Sequence, residues 1–184
     1  MLKLTRAVVA VLLFWNLSAL AGTPVENSCD VTPDCRVVIK NVAGLVQVQS
    51  WDQNRVDLKG NLGEDVTRLD FTGGNQLVTI EVVIPHPHGN RIASELTISV
   101  PATASLDVEA VSADIRVYNI AGEIEASTVS GDLTIENAAN AVRANSVSGD
   151  IDISDRGPSV TAKTTSGEIE ISGEIGAIQA DSVS

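Results

Sequence analysis

Along residues 111–184 apolar and polar positions alternate, and the alternation restarts every 18 residues. The units read VSADIRVYNIAGEIEAST, VSGDLTIENAANAVRANS, VSGDIDISDRGPSVTAKT and TSGEIEISGEIGAIQADS, and Val183-Ser184 opens a fifth. Ile115, Leu133, Ile151 and Ile169 share one column. Val117, Ile135, Ile153 and Ile171 share the next but one, with Arg116, Thr134, Asp152 and Glu170 between them. A period of two is the mark of a strand with one buried face. Nine residues after the first column, Ile124, Val142, Val160 and Ile178 form another, and Ala126, Ala144, Ala162 and Ala180 follow two places on. Each unit therefore carries two short strands, with one turn at Ser-Gly-Asp and another around 119–123 and its equivalents.

The pattern predicts an all-β chain: a single-stranded β-solenoid or β-helix-like stack with 18-residue coils, two short strands per coil. Like residues would stack about 4.8 Å apart in parallel sheets. An antiparallel meander also fits two strands per unit, but columns of one residue type favour coils with identical corners. A helix is excluded by the period and by the β-branched content. At the corners, Gly131, Gly149 and Gly167 are expected to supply positive φ, at a cost of about 1 kcal/mol where Ala113 replaces them. Ser112, Ser130, Ser148 and Ser166 are expected to bond the turn backbone.

Upstream, Arg36–Lys40, Val46–Val48, Arg55–Lys59, Leu77–Ile84 and Leu96–Val100 read as strands. Val56 and Leu58 follow Val46 and Val48 by ten residues, close to the nine-residue step of the repeats, so residues 36–110 read as irregular coils or a lead-in sheet continuous with the repeats of 111–184. Pro85-His86-Pro87-His88-Gly89-Asn90 is a loop, because two prolines so close do not fit a central strand.

The first 21 residues differ in kind. Lys3 and Arg6 precede an apolar run from Ala7 to Leu20, and Ala19-Leu20-Ala21 offers a cleavage site before Gly22. Residues 1–21 thus read as a secretory signal peptide and the mature chain as periplasmic or secreted, with no transmembrane segment. In an oxidising compartment Cys29 and Cys35 are expected to close a disulfide loop within residues 22–35. The mature chain holds 10 basic and 24 acidic residues, a net of −14. That balance disfavours nucleic acid and anionic lipid as partners.

Leu96-Thr97-Ile98-Ser99-Val100-Pro101, then Leu106-Asp107-Val108-Glu109 and the Val-Ser-Gly-Asp-Ile units, resembles the bacterial "putative adhesin" β-strand-repeat family. Gly44-Leu45-Val46-Gln47-Val48 with Trp51 is similar to its opening, and the likeness spans residues 36–184. It implies an exported or envelope-associated protein of unknown biochemical role and brings no catalytic residues.

Candidate chemistry is sparse. Asp114, Asp132, Asp150 and Glu168 form an acidic column that calcium would relieve, against the plainer reading of solvated turn residues. His86 and His88 are two ligands at most and do not make a metal site. The pairs Asp150 with Asp152 and Glu168 with Glu170 are the residues a carbohydrate-active β-helix enzyme would use. No aromatic platform accompanies them, and the mature chain's aromatics are Trp51, Phe71 and Tyr118 alone. The expectation is an exported, non-catalytic module with a structural or adhesive role, no cofactor, and an envelope or surface partner. The unit that breaks off at Ser184 leads to one more: a piece of a longer protein, or end-to-end self-association of the last coil.

Overall fold

A computed structural model describes residues 22–84 and 91–183. The expected signal peptide, the His86 and His88 loop and Ser184 lie outside the described residues. The fold is all-β and β-solenoid-like. Its strands are β1 (Thr23–Trp51), β2 (Arg55–Leu62), β3 (Arg68–Val83), β4 (Ser94–Pro101), β5 (Ser105–Tyr118), β6 (Ile124–Thr128), β7 (Leu133–Ala138), β8 (Val142–Ser146), β9 (Ile151–Asp155), β10 (Ser159–Thr164), β11 (Ile169–Gly173) and β12 (Ala177–Ser182).

The repeat pairs with itself at its own period. Ile115 lies opposite Leu133, Leu133 opposite Ile151, and Ile151 opposite Ile169, all in parallel. Ile124, Val142, Val160 and Ile178 stack in the same way through β6, β8, β10 and β12. The long strand β5 turns the corner and feeds both stacks: its first half pairs with β6 and its second with β7. The inward columns close the core. Ile115, Val117, Leu133, Ile135, Ile151 and Ile153 are buried from one stack, and Ile124, Ala126, Val142, Ala144, Val160 and Ala162 from the other. Burial fades in the last unit, where Ile169 and Ile171 are half-buried and Ile178 is 56% exposed.

The stack does not follow chain order at its other end. β1 pairs along most of β5, from Arg36 opposite Ser105 to Gln49 opposite Tyr118. On its far side β1 takes β3 beside Arg36–Lys40 and β4 beside Gly44–Trp51, again in parallel. The β1 turn therefore lies between a turn formed later by β3 and β4 and the first clean repeat. The link from Pro101 to Ser105 crosses over, with Ala104 buried beneath it.

β2 is not another coil, despite the ten-residue spacing that suggested one. It runs antiparallel between β4 and the arm Thr23–Asp30 of β1. Asp52–Asn54 links β2 to the end of β1, but both partners of β2 are distant in the chain, so the pairing is not a hairpin. Leu69 and Phe71 of β3 pack against the core. Residues 22–35 also differ from expectation: most of this segment is strand rather than loop, and Cys29 and Cys35 are free thiols in this structure. Ladder pairing to β2 holds the arm where a covalent loop was expected.

The corners work differently from the sequence expectation. Gly131, Gly149 and Gly167 do not adopt positive φ; those values fall at Asn119 (59°), Asn137 (55°) and Gly173 (116°). What Gly149 supplies is room, because a Cβ there would run into the carbonyl oxygen of Gly131 one coil away, and Gly167 meets Gly149 in the same way. Ala113 stays buried and carries none of the expected strain. The hydroxyls that bond the corner are Thr128 to Ala113 O (3.3 Å), Thr164 to Gly149 O (3.2 Å) and Ser182 to Gly167 O (3.1 Å). The serines of the Ser-Gly-Asp turn instead join the ladder through their backbone: Ser130 and Ser148 N–H donate to Val111 O and Val129 O.

Ile151→Asp places a carboxylate in the core without a partner and is expected to cost more than about 4 kcal/mol, unfolding the repeats. Asp152→Lys, one residue on and facing solvent, is expected to change stability by less than about 0.5 kcal/mol. Denaturant titrations of the two variants check the register, which equal effects would rule out.

Candidate functional site

The acidic column is part of the frame. Asp114 Oδ1 accepts the N–H of Asp132 at 3.1 Å, Asp132 Oδ1 that of Asp150 at 3.0 Å, and Asp150 Oδ1 that of Glu168 at 2.8 Å. Each carboxylate satisfies the backbone of the coil above it at a corner where the strand ladder is interrupted. Among the described residues no three His, Cys, Asp or Glu side chains are grouped so as to hold a metal ion. The carboxylates of Asp150 with Asp152, and of Glu168 with Glu170, all lie on the exposed surface. Asp150 is tied to the turn and Asp152 projects from β9, so neither pair is enclosed.

The two outer faces of the repeats differ in charge. Beside β6, β8, β10 and β12, opposite charges meet: Arg36 with Asp107 at 2.6 Å, Lys40 with Glu109 at 2.9 Å, Lys163 with Asp181 at 3.4 Å, and Arg143 with Glu123. Across β7, β9 and β11 the exposed acids are Glu136, Asp152 and Glu170, and none of the ion pairs found among the described residues involves them. Along the corner between the faces, Val111, Val129 and Val147 are each about half exposed and form a short apolar stripe. They continue the alternation of the strands before them, since Ala110, Thr128 and Ser146 point inward, and the parity resets only after them in the turn. A shallow groove of about 570 Å³ lies over the arm and β2, lined by Glu26, Lys59 and Thr97 among others. Its lysine is already held by Glu26 at 3.3 Å and Asp57 at 3.9 Å.

One residue that the sequence did not single out stands apart. Asp155 is 1% exposed at the end of β9. Asn119 and Asn137 occupy the equivalent corners with positive φ, linked by Asn137 Nδ2 donating to Asn119 Oδ1 at 3.2 Å. That conformation turns the next residues, Ile120 and Ala138, inward. In the following coil the register slips, Asp155 pairs with Ala138, and its own side chain takes the inward place. Asp155 Oδ1 accepts N–H groups from Arg156 at 2.6 Å and Gly157 at 3.0 Å, while Oδ2 has no partner. Burial pushes its carboxyl above the usual aspartate range, and the two N–H donors oppose that shift. The only signal in the sequence was Asp in a column otherwise Asn, Asn and Gly.

Residues 37–179 match the family model described as Toastrack DUF4097. A solved structure described as a "putative cell adhesion protein" from Clostridium sporogenes is 12% identical, covers 87% of this chain and 100% of its own, and has a TM-score of 0.49. A "putative adhesin" from Bacteroides fragilis is 12% identical over 86% of this chain and 97% of its own, with a TM-score of 0.38. A "putative lipid binding protein" from Parabacteroides distasonis is 13% identical over 89% and 98%, with a TM-score of 0.30. No curated protein matches the chain.

Two outcomes follow from the polar groups. A carboxyl with a raised folded-state pKa stabilises the fold below its unfolded pKa and loses that contribution as pH rises through the folded value. Asp155→Asn is therefore expected to raise the melting temperature at pH 7 by about 2–5 °C, a gain that closes as pH falls toward the ordinary aspartate pKa. Thermal scans of both proteins from pH 3 to 8 test the sign. Because the acidic column already bonds backbone, millimolar calcium is expected to shift the melting temperature by no more than about 3 °C. A larger saturable rise that disappears in an Asp132→Asn, Asp150→Asn double variant would show a calcium ladder instead.

Proposed function

The chain belongs to the Toastrack DUF4097 family, and from that premise we propose that it is an exported, non-catalytic β-solenoid module with a structural or adhesive role in the bacterial cell envelope. Each 18-residue coil, with its two strands, serves as one rung of a rigid scaffold. The observation that carries this reading is the use of the polar side chains. Asp114, Asp132 and Asp150 and the hydroxyls of Thr128 and Thr164 are spent on coil-to-coil hydrogen bonds, and what repeats outward is a broad surface.

Of the two outer faces, the one bearing Glu136, Asp152 and Glu170 is the binding face in this reading. Its acids keep their charge available, whereas the opposite face is neutralised internally. An anionic polymer or anionic lipid headgroup would be repelled there, so the partner is neutral or basic. Among the described residues no helix is long and apolar enough to cross a membrane. Export in this reading rests on residues 1–21 and on the family.

Binding of the mature chain to isolated cell envelopes, measured by co-sedimentation, tests the face. An Asp152→Lys, Glu170→Lys double variant is expected to lose at least about fivefold in affinity. Lys163→Glu on the opposite face is expected to change it less than about twofold. Equal losses from both, or no saturable binding, would reject the assignment.

A further inference from the structure

The strand register carries side chains from distant parts of the chain onto one outer sheet face. Thr97 of β4, Gln47 of β1, Arg116 of β5 and Thr134 of β7 lie side by side in one row. Ser99, Gln49, Tyr118 and Glu136 form the next, two residues further along each strand. Trp51 follows on β1, beside Pro101. The residues of the two rows alternate with the buried Ile98, Val48, Val117 and Ile135, so they face solvent.

Two aromatic rings meet on this face. Trp51 and Tyr118 are two of the three aromatic residues of the mature chain, and the third, Phe71, packs against the core. Tyr118 lies opposite Gln49, one strand over from Trp51 and two residues back, which sets the Cβ atoms of the two rings about 8 Å apart. Both residues are half-buried. The indole is fixed in place: its Nε1 donates to Arg55 O at 2.7 Å, and the Arg55 guanidinium lies 5.3 Å from the ring centroid. Arg55 is held in turn by Nη2 donating to Gln53 Oε1 at 3.1 Å. Beside the rings, Gln49 Nε2 reaches Ser99 Oγ only at 3.4 Å. None of the ion pairs found among the described residues involves Arg116. The two rows hold one cation, Arg116, and one anion, Glu136.

We propose that these two rows, with Trp51, are a recognition site for a neutral polysaccharide whose chain crosses the strands. This rests on the reading of the same face as the binding face and names the class of its partner. A pyranose ring presents an apolar C–H side and a rim of hydroxyls that both donate and accept. Indole and phenol rings suit the first, and their stiffness keeps the entropy cost of binding low. Carboxamides, hydroxyls and a guanidinium suit the second, since Gln and Thr both donate and accept and Arg supplies several donors.

Charge selects the neutral class. An anionic polymer would find one unpaired guanidinium in these rows, on a mature chain of net −14. A cationic one would gather at Asp152 and Glu170, away from the rings. The first row runs on through Asp152 to Glu170, where carboxylates accept from sugar hydroxyls. At its other end Thr97 lines the groove of about 570 Å³ over the arm and β2. A linear chain laid across the strands follows that row from the groove to the repeats.

Trp51 is the only tryptophan of residues 22–184 and reports on the site directly. The mature chain is titrated with neutral oligosaccharides of glucose, mannose, galactose and N-acetylglucosamine, and with an oligomer of galacturonic acid as the anionic comparison. At least one neutral oligosaccharide is expected to change the indole fluorescence saturably and to shield it from acrylamide quenching. Gln47→Ala and Tyr118→Ala are expected to weaken that binding by about tenfold or more. Gln179→Ala, on the opposite face, is expected to stay within about twofold of wild type. Melting temperatures check that the variants fold, and the wild-type titration needs none of them. A stronger response to the galacturonic acid oligomer, or wild-type affinity in both Gln47→Ala and Tyr118→Ala, would overturn the site. Isolated cell envelopes separate this proposal from the reading beneath it. With envelope binding intact, silence toward every neutral sugar overturns the polysaccharide and leaves the envelope role. Sugar binding without envelope binding supports the site and rejects the envelope role.

Discussion

The spacing between hydrogen-bonded strands is the constraint on which the rest of this structure depends. Coils stacked at about 4.8 Å leave no room for a corner that differs from the one below. A Cβ at Gly149 or Gly167 would strike the carbonyl of the preceding corner, so glycine recurs for contact between coils and not for its own backbone freedom. The same spacing sets the side-chain columns. Ile151 must sit over Leu133 and under Ile169, because the parallel ladder gives each residue one neighbour above and one below.

Stacked corners also leave backbone groups that the strands cannot pair, and the chain answers with side chains. Carboxylates at Asp114, Asp132 and Asp150 take N–H groups, and hydroxyls at Thr128, Thr164 and Ser182 give protons to carbonyls. Three carboxylates of the acidic column, Asp114, Asp132 and Asp150, are thereby bound into the frame. This accounting fails at two corner residues: the buried Ser146 Oγ, in the column of Thr128 and Thr164, has no partner, and at Asp155 a one-residue slip brings a carboxyl inward and leaves one oxygen without one. The family match spans both the regular stack and the irregular turns before it, from residue 37 to 179, and leaves the cysteine-bearing arm ahead of it. The broad outer faces, with their unequal charge, are what remains free to meet a partner.

Much of the stack was legible because its cause is local and repeated. Period-two alternation set which side of each strand is buried, and the 18-residue return set which residues stack; neither needs knowledge of distant chain. The inward places of Ile151 and Val160, and the outward place of Asp152, follow from that alone. Corner chemistry was less legible. Asn119 and Asn137 take the left-handed conformation expected of the glycines, and the parity resets by one residue after the outward Val111, Val129 and Val147, a shift that hydropathy does not record.

Only the tertiary structure decided the order of the first turns. Nothing local tells β1 to lie between β3–β4 and β5, or tells β2 to run antiparallel to the arm, since strands of similar composition compete for the same edges. The choice is made by the summed burial of Val37, Ile39, Val46 and Val48 against partners far along the chain. Folding likewise decided that Trp51 and Tyr118 share one outer face, and that Asp155 is buried. Both depend on register, which is a relation between strands rather than a property of either one.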